Sequence, residues 1–142
     1  FNAFAHTVDA PLQSIEMEEY LRLIVALFSR PASVRGVGLE AGDSAEPMTV
    51  LTNPFLLTCL LWFCLTHALE GKGFEKNIVL LSEADQKEVR IRLQGIGDLR
   101  GTAEEPFPAP RELSFAEALD ARIDLSSERG ELVVTLPRGR YE

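Results

Sequence analysis

The sequence predicts an α+β (α/β) two-layer sandwich: one mixed β-sheet with a layer of about three helices on one face. Three observations predict it. Almost every position from 54 to 69 is apolar, and a helix with no wet face must be buried. At about 16 residues it falls short of the roughly 20 that cross a bilayer comfortably. In 88–94, Val89, Ile91 and Leu93 alternate with Glu88, Arg90, Arg92 and Gln94, the mark of a strand with one buried and one wet face. The elements read in the order α-β-β-α-β-β-α-β-β, so helices alternate with strand pairs.

Residues 1–14 are mixed and contain Pro11. They read as a linker or the end of a preceding helix, which leaves 15–142 as the folded domain. A helix over 16–29 follows from apolar spacing at Ile15, Tyr20, Ile24, Leu27 and Phe28. Glu16, Glu18 and Glu19 favour its N-terminus, and Pro31 is expected to stop it. Val37–Glu40 and 48–51 read as two strands joined by a loop. Asn53 is placed to cap the apolar helix, with Pro54 in its first turn and Gly71 and Gly73 beyond its end. Residues 77–82 and 88–94 form a hairpin, and 95–111, rich in Gly, Pro and acids, is the longest structureless stretch. A short helix over 113–120 and a hairpin of 121–127 with 131–137, turning at Glu128-Arg129-Gly130, complete the chain. There is no internal repeat.

A chain of 142 residues is one domain by the usual prior, and 46% hydrophobic with 25% charged residues is ordinary for a globular protein. The net charge of −8 argues against nucleic-acid phosphate or an anionic membrane as the main partner and permits a basic protein. Cys59 and Cys64, the two cysteines, lie about 140° apart around the helix. They offer no metal spacing and no disulfide framework, and buried free thiols suit a reducing cytoplasm. No signal peptide or membrane span is visible. The chain begins with Phe1 rather than Met, and is expected to be a piece of something longer.

Three segments carry a family resemblance: IEMEEYLRLIVALFSRPASVRGVGLEA, MTVLTNPFLLTCLLWFCLTHALEG and ARIDLSSERGELVVTLP. Their order and spacing resemble the ATP-binding catalytic domain of bacterial sensor histidine kinases, of the Bergerat-fold (GHKL) superfamily. The resemblance covers roughly residues 15–137. The first segment matches the opening helix and strand, the second a strand and the asparagine-box helix, the third the closing hairpin.

The family's chemical motifs are where this chain departs from it. The asparagine box carries two asparagines one turn apart, then Ala and often Lys, and an asparagine oxygen holds magnesium. On alignment, Phe63 and His67 occupy the asparagine places, Ala68 is kept, and Glu70 replaces the lysine. Phenylalanine ligates nothing, neutral histidine prefers softer metals, and Glu70 repels phosphate. In the family's Asp-x-Gly-x-Gly motif, the aspartate accepts from the adenine amino group. Here Gly95 stands at the aspartate place, Gly97 matches the first glycine, Leu99 replaces the second, and Asp98 is displaced by three positions. The phosphate cradle needs backbone N–H groups, but 101–112 holds one glycine, three prolines and three glutamates.

The resemblance therefore implies a histidine-kinase-like domain of a two-component signalling protein with a degenerate nucleotide site. Such a domain acts as a protein-docking, pseudokinase or phosphotransferase-type module without a cofactor. Its expected partner is a response regulator or the helical hairpin of a kinase, with homodimerisation through upstream helices. Exposed Leu99 and Phe107 would favour docking; Phe63 and Leu99 packed into a filled pocket would exclude a kinase. The alternative is a divergent active kinase domain that binds ATP and magnesium, in which His67 and Asp98 matter. A third reading is an anti-sigma-type regulator. His6 with Pro11 echoes the phosphoacceptor pattern His-x-x-x-x-Pro, with Asp9 nearby to orient the ring; the other reading is a linker histidine. Trp62 and Phe63 are expected in the core, and Arg90 and Arg92 on a solvated face.

Overall fold

A computed structural model describes residues 12–42, 48–70, 77–96, 106–126 and 129–138. The chain order is β1 (Gln13–Glu16), α1 (Met17–Val34), β2 (Gly38–Ala41), β3 (Thr49–Thr52), α2 (Pro54–Glu70), β4 (Asn77–Ala84), β5 (Glu88–Gln94), α3 (Pro110–Leu119), β6 (Arg122–Ser126) and β7 (Glu131–Pro137). The expected sandwich is present: a mixed five-stranded sheet in the order β2-β4-β5-β7-β6, with helices packed on one face.

Alternation fixes the two faces of the sheet. Leu80, Leu93 and Leu132 stand opposite one another, as do Ser82, Ile91 and Val134. All six are buried. The other face carries the row Glu83, Arg90, Thr135 and Arg122 and the row Leu81, Arg92, Val133 and Asp124. Arg92 donates to Glu83 and, at 2.7 Å, to Glu131, while Arg90 pairs with Asp85 at 3.3 Å. The arginines expected on a solvated face are thus half-buried members of an ion ladder.

Helix α2 is the buried element the sequence required. Asn53 Oδ1 accepts from the N–H groups of Phe55 and Leu56, both at 3.1 Å, which satisfies two free donors of the first turn. Leu57, Leu60, Cys64 and Ala68 have no exposed surface. Trp62 packs on Phe28 of α1 with ring centroids 4.8 Å apart.

Four expectations need correction. Pro31 does not stop α1, which runs to Val34 with the proline inside. The helix continues past Pro31 to the buried Ala32, whose carbonyl accepts from Arg35 and Val37 at 2.9 Å as the helix closes. Gln13–Glu16, split between linker and helix by the sequence, is a strand paired antiparallel with β3. The strands over 37–40 and 48–51 are not partners: β2 runs parallel to β4, and β3 belongs to the two-stranded ribbon with β1. Helix α3 begins at Pro110, not 113, because proline presets the first helical position and Glu112 Oε1 accepts from the Ala109 N–H at 2.9 Å.

Candidate functional site

Helices α2 and α3 lie against each other, and their contact contains both positions that align with the family's asparagines. Phe63 and His67 are four residues apart, so they project from one face of α2. Arg111 and Phe115 hold the same relation on α3. The Phe63 ring lies 5.4 Å from the Phe115 ring, and the Arg111 guanidinium sits 3.9 Å above the Phe63 centroid. One turn later the His67 imidazole stacks on Phe107, at 4.5 Å and 15° between planes.

Polar contacts fix the start of α3 beside this seam. Glu112 is 1% exposed. Its two carboxylate oxygens are engaged separately: one accepts from the Ala109 N–H, the other from Arg111 Nε at 2.7 Å. Arg111 thus answers the buried carboxylate with its Nε edge and covers Phe63 with its plane. Cys64 lies wholly buried beside Phe63. Burial first, then the Glu112 charge, pushes its thiol up to about 12, with Arg111 opposing.

The structure brings together only part of the set singled out by sequence. Phe63 and His67 share the seam. Glu70 is exposed at the end of α2. Gly95 follows β5 with φ +90°, and its N–H donates to the Gly130 carbonyl at 2.9 Å. A glycine relieves strain in that conformation, and it brings no side chain to the site. Gly97, Asp98, Leu99 and His6 lie outside the described residues. Phe107 does not meet the condition that would have favoured docking: it is 5% exposed and stacked on His67. Nothing in the sequence pattern joins Phe107, Arg111, Glu112 and Phe115 to positions 63 and 67 as a cluster. The signal was Pro110 followed by Glu112, a helix-start signature that sets Arg111 and Phe115 on one face. Among the described residues no group of three His, Cys, Asp or Glu is placed to hold a metal, and no helix is long and apolar enough to cross a membrane.

The arrangement of sheet and helices has close counterparts among solved structures. The catalytic domain of histidine kinase ThkA matches with a TM-score of 0.70 at 14% identity, over 91% of this chain and 98% of that domain. The fold is that of a histidine-kinase catalytic domain. The ATP-binding domain of PrrB from Mycobacterium tuberculosis shares it, with a TM-score of 0.65 at 14% identity over 92% of this chain and 100% of that one. So does ThkA in complex with the response regulator protein TrrA, with a TM-score of 0.67 at 15% identity, over 90% of this chain and 42% of the other. No family model matches the sequence, and no curated protein matches it. Within this histidine-kinase fold, the α2–α3 seam is where the chain's own residues must decide the chemistry.

Proposed function

We propose that the chain is the catalytic-type domain of a two-component signalling protein, with a degenerate nucleotide site, and that it acts by protein contact. One observation carries this reading. The two positions that align with the asparagines are occupied by rings already in contact with their own chain: Phe63 with Arg111 and Phe115, His67 with Phe107. Phe63 has no atom to give a magnesium ion, and a stacked imidazole is a poor ligand for that hard cation. Gly95 has no carboxylate for an adenine amino group. These residues do not fit ATP and magnesium, so no catalytic step is assigned to the domain. Its partner is a response regulator or the helical hairpin of a kinase. The first of these is supported by analogy with ThkA, which is seen with TrrA.

Calorimetric titration with a non-hydrolysable ATP analogue and magnesium tests the reading. The expected result is no binding heat and an unchanged melting temperature at millimolar ligand. Micromolar binding would overturn it and restore the divergent-kinase alternative.

A further inference from the structure

Helix α1 has two apolar faces. The first, which includes Leu21, Ile24 and Phe28, is buried in the core. The second faces solvent: Leu23 is 56%, Leu27 55% and Val34 81% exposed. With exposed Arg30 between Leu27 and Val34, positions 23, 27, 30 and 34 follow the four-three spacing by which one helix packs along another. Beside the N-terminal end of this stripe lies a groove of about 650 Å³ whose lining includes Ile15, Tyr20, Leu23 and Phe55, with Glu16 and Glu19 among its polar groups.

The same helix therefore carries an acidic, concave apolar end, where exposed Arg22 is tied to Glu18 at 2.7 Å, and toward its other end exposed Arg30 and a protruding valine. Such a surface complements a copy of itself laid antiparallel, and opposes one laid parallel. We propose that this face joins two copies of the chain in an isologous dimer, with α1 antiparallel to α1 about a twofold axis near position 25. Leu23 of each copy packs on Leu27 of the other. Val34 of each enters the other's groove beside Phe55, and Arg30 reaches the Glu16 and Glu19 carboxylates there. The charge polarity selects a second copy as the occupant. This dimer is independent of the nucleotide reading and uses no residue of the α2–α3 seam.

Sedimentation equilibrium of the 142-residue chain, over a micromolar to millimolar range, tests the proposal. A dimer is expected. Arg30→Glu and Glu19→Arg should each weaken it by roughly tenfold or more, because every substitution acts twice across the axis. The double variant Glu19→Arg/Arg30→Glu should return to within about threefold of the original by exchanging the charges. Val34→Asp, at a solvent-facing site, should dissociate the dimer while the melting temperature of the dilute protein stays unchanged. A monomer throughout the range overturns the proposal and leaves the face to a different protein. A dimer indifferent to both charge reversals, or not recovered in the double variant, overturns it equally.

Discussion

The imidazole of His67 lies nearly parallel to the ring of Phe107, 4.5 Å away, and this stack fastens α2 to the segment that leads into α3. Phe107 belongs to the buried core, and its ring is covered on one face by the half-buried imidazole. Phe107→Ala is expected to cost about 3–5 kcal/mol in urea unfolding, the range for emptying a buried aromatic site. Arg111→Leu keeps an apolar cover over Phe63 but leaves one oxygen of the buried Glu112 carboxylate without its partner, and it should cost about 1–3 kcal/mol. A Phe107→Ala cost below about 1 kcal/mol would mean that the stack is a surface contact.

Restoring the family's amides should not restore its ligand. In Phe63→Asn/His67→Asn the α2 face regains two oxygen donors, but Gly95 still offers no acceptor to adenine. Phe107 and Phe115 still lie against that face. The double variant is expected to be destabilised and to give no heat with the nucleotide analogue and magnesium. Titration at saturating ligand measures this, and binding would show that two side chains alone separate the chain from its nucleotide-binding counterparts.

Glu112 permits a sharper comparison. Its carboxylate holds the Ala109 N–H and Arg111 Nε on different oxygens. Glu112→Ala leaves a helix-start donor unsatisfied and should cost about 1–3 kcal/mol. Glu112→Gln keeps an acceptor for Ala109 and loses only the charge-assisted bond, so it should be the milder of the two in equilibrium unfolding. Equal costs would mean that the ion pair, not the cap, holds the start of α3.

The central helix and the two hairpins were legible because their signals are local. An apolar run of helical length and a strict alternation each specify burial without reference to the rest of the chain. What stayed hidden depends on partners far away in sequence. Gln13 and Ser14 carry little strand propensity and become a strand by pairing with Thr52 and Leu51. Pro31 reads as a stop, yet the helix runs on to Val34 with Ala32 buried. The two strands before α2 look like a pair, yet β2 finds β4 through a crossover that contains α2. The site was half legible: the replacements at 63 and 67 stand in the sequence, but only packing brings Phe107, Arg111 and Phe115 to them.

The ion ladder predicts a response to acid. The Arg92 hydrogen bond, reinforced by its charge and by Arg90, holds Glu83 below the usual carboxylate range. Backbone N–H groups of Lys87 and Glu88 do the same for Asp85, with help from Arg90. A carboxylate whose pKa is lower folded than unfolded contributes stability that is complete above the unfolded pKa. That contribution is lost as pH falls through the folded one. The melting temperature should therefore decline below about pH 4.5 and be flat between there and neutrality as far as these groups decide it. Arg92→Gln should lower the neutral plateau and shallow the acid limb. A limb of unchanged slope would assign the acid sensitivity to other carboxylates.

The thiols report whether the α2–α3 seam stays closed. Cys64 is fully buried, and burial pushes it up to about 12; burial also raises Cys59, which is only partly covered. The thiolate is the reactive form, so both should react more slowly with a disulfide reagent at pH 8 than free cysteine does, whose pKa is about 8.5. Cys59 should label first. Cys64 should label only through opening of the structure, at a rate that follows global stability as denaturant is added. Phe107→Ala and Arg111→Leu should accelerate Cys64 and leave Cys59 nearly unchanged. Mass spectrometry of timed labelling separates the two sites. If Cys64 labelled as fast as Cys59 in the unmodified protein, the seam would open without unfolding, and the rings at 63 and 67 would no longer stand as a permanent barrier to nucleotide.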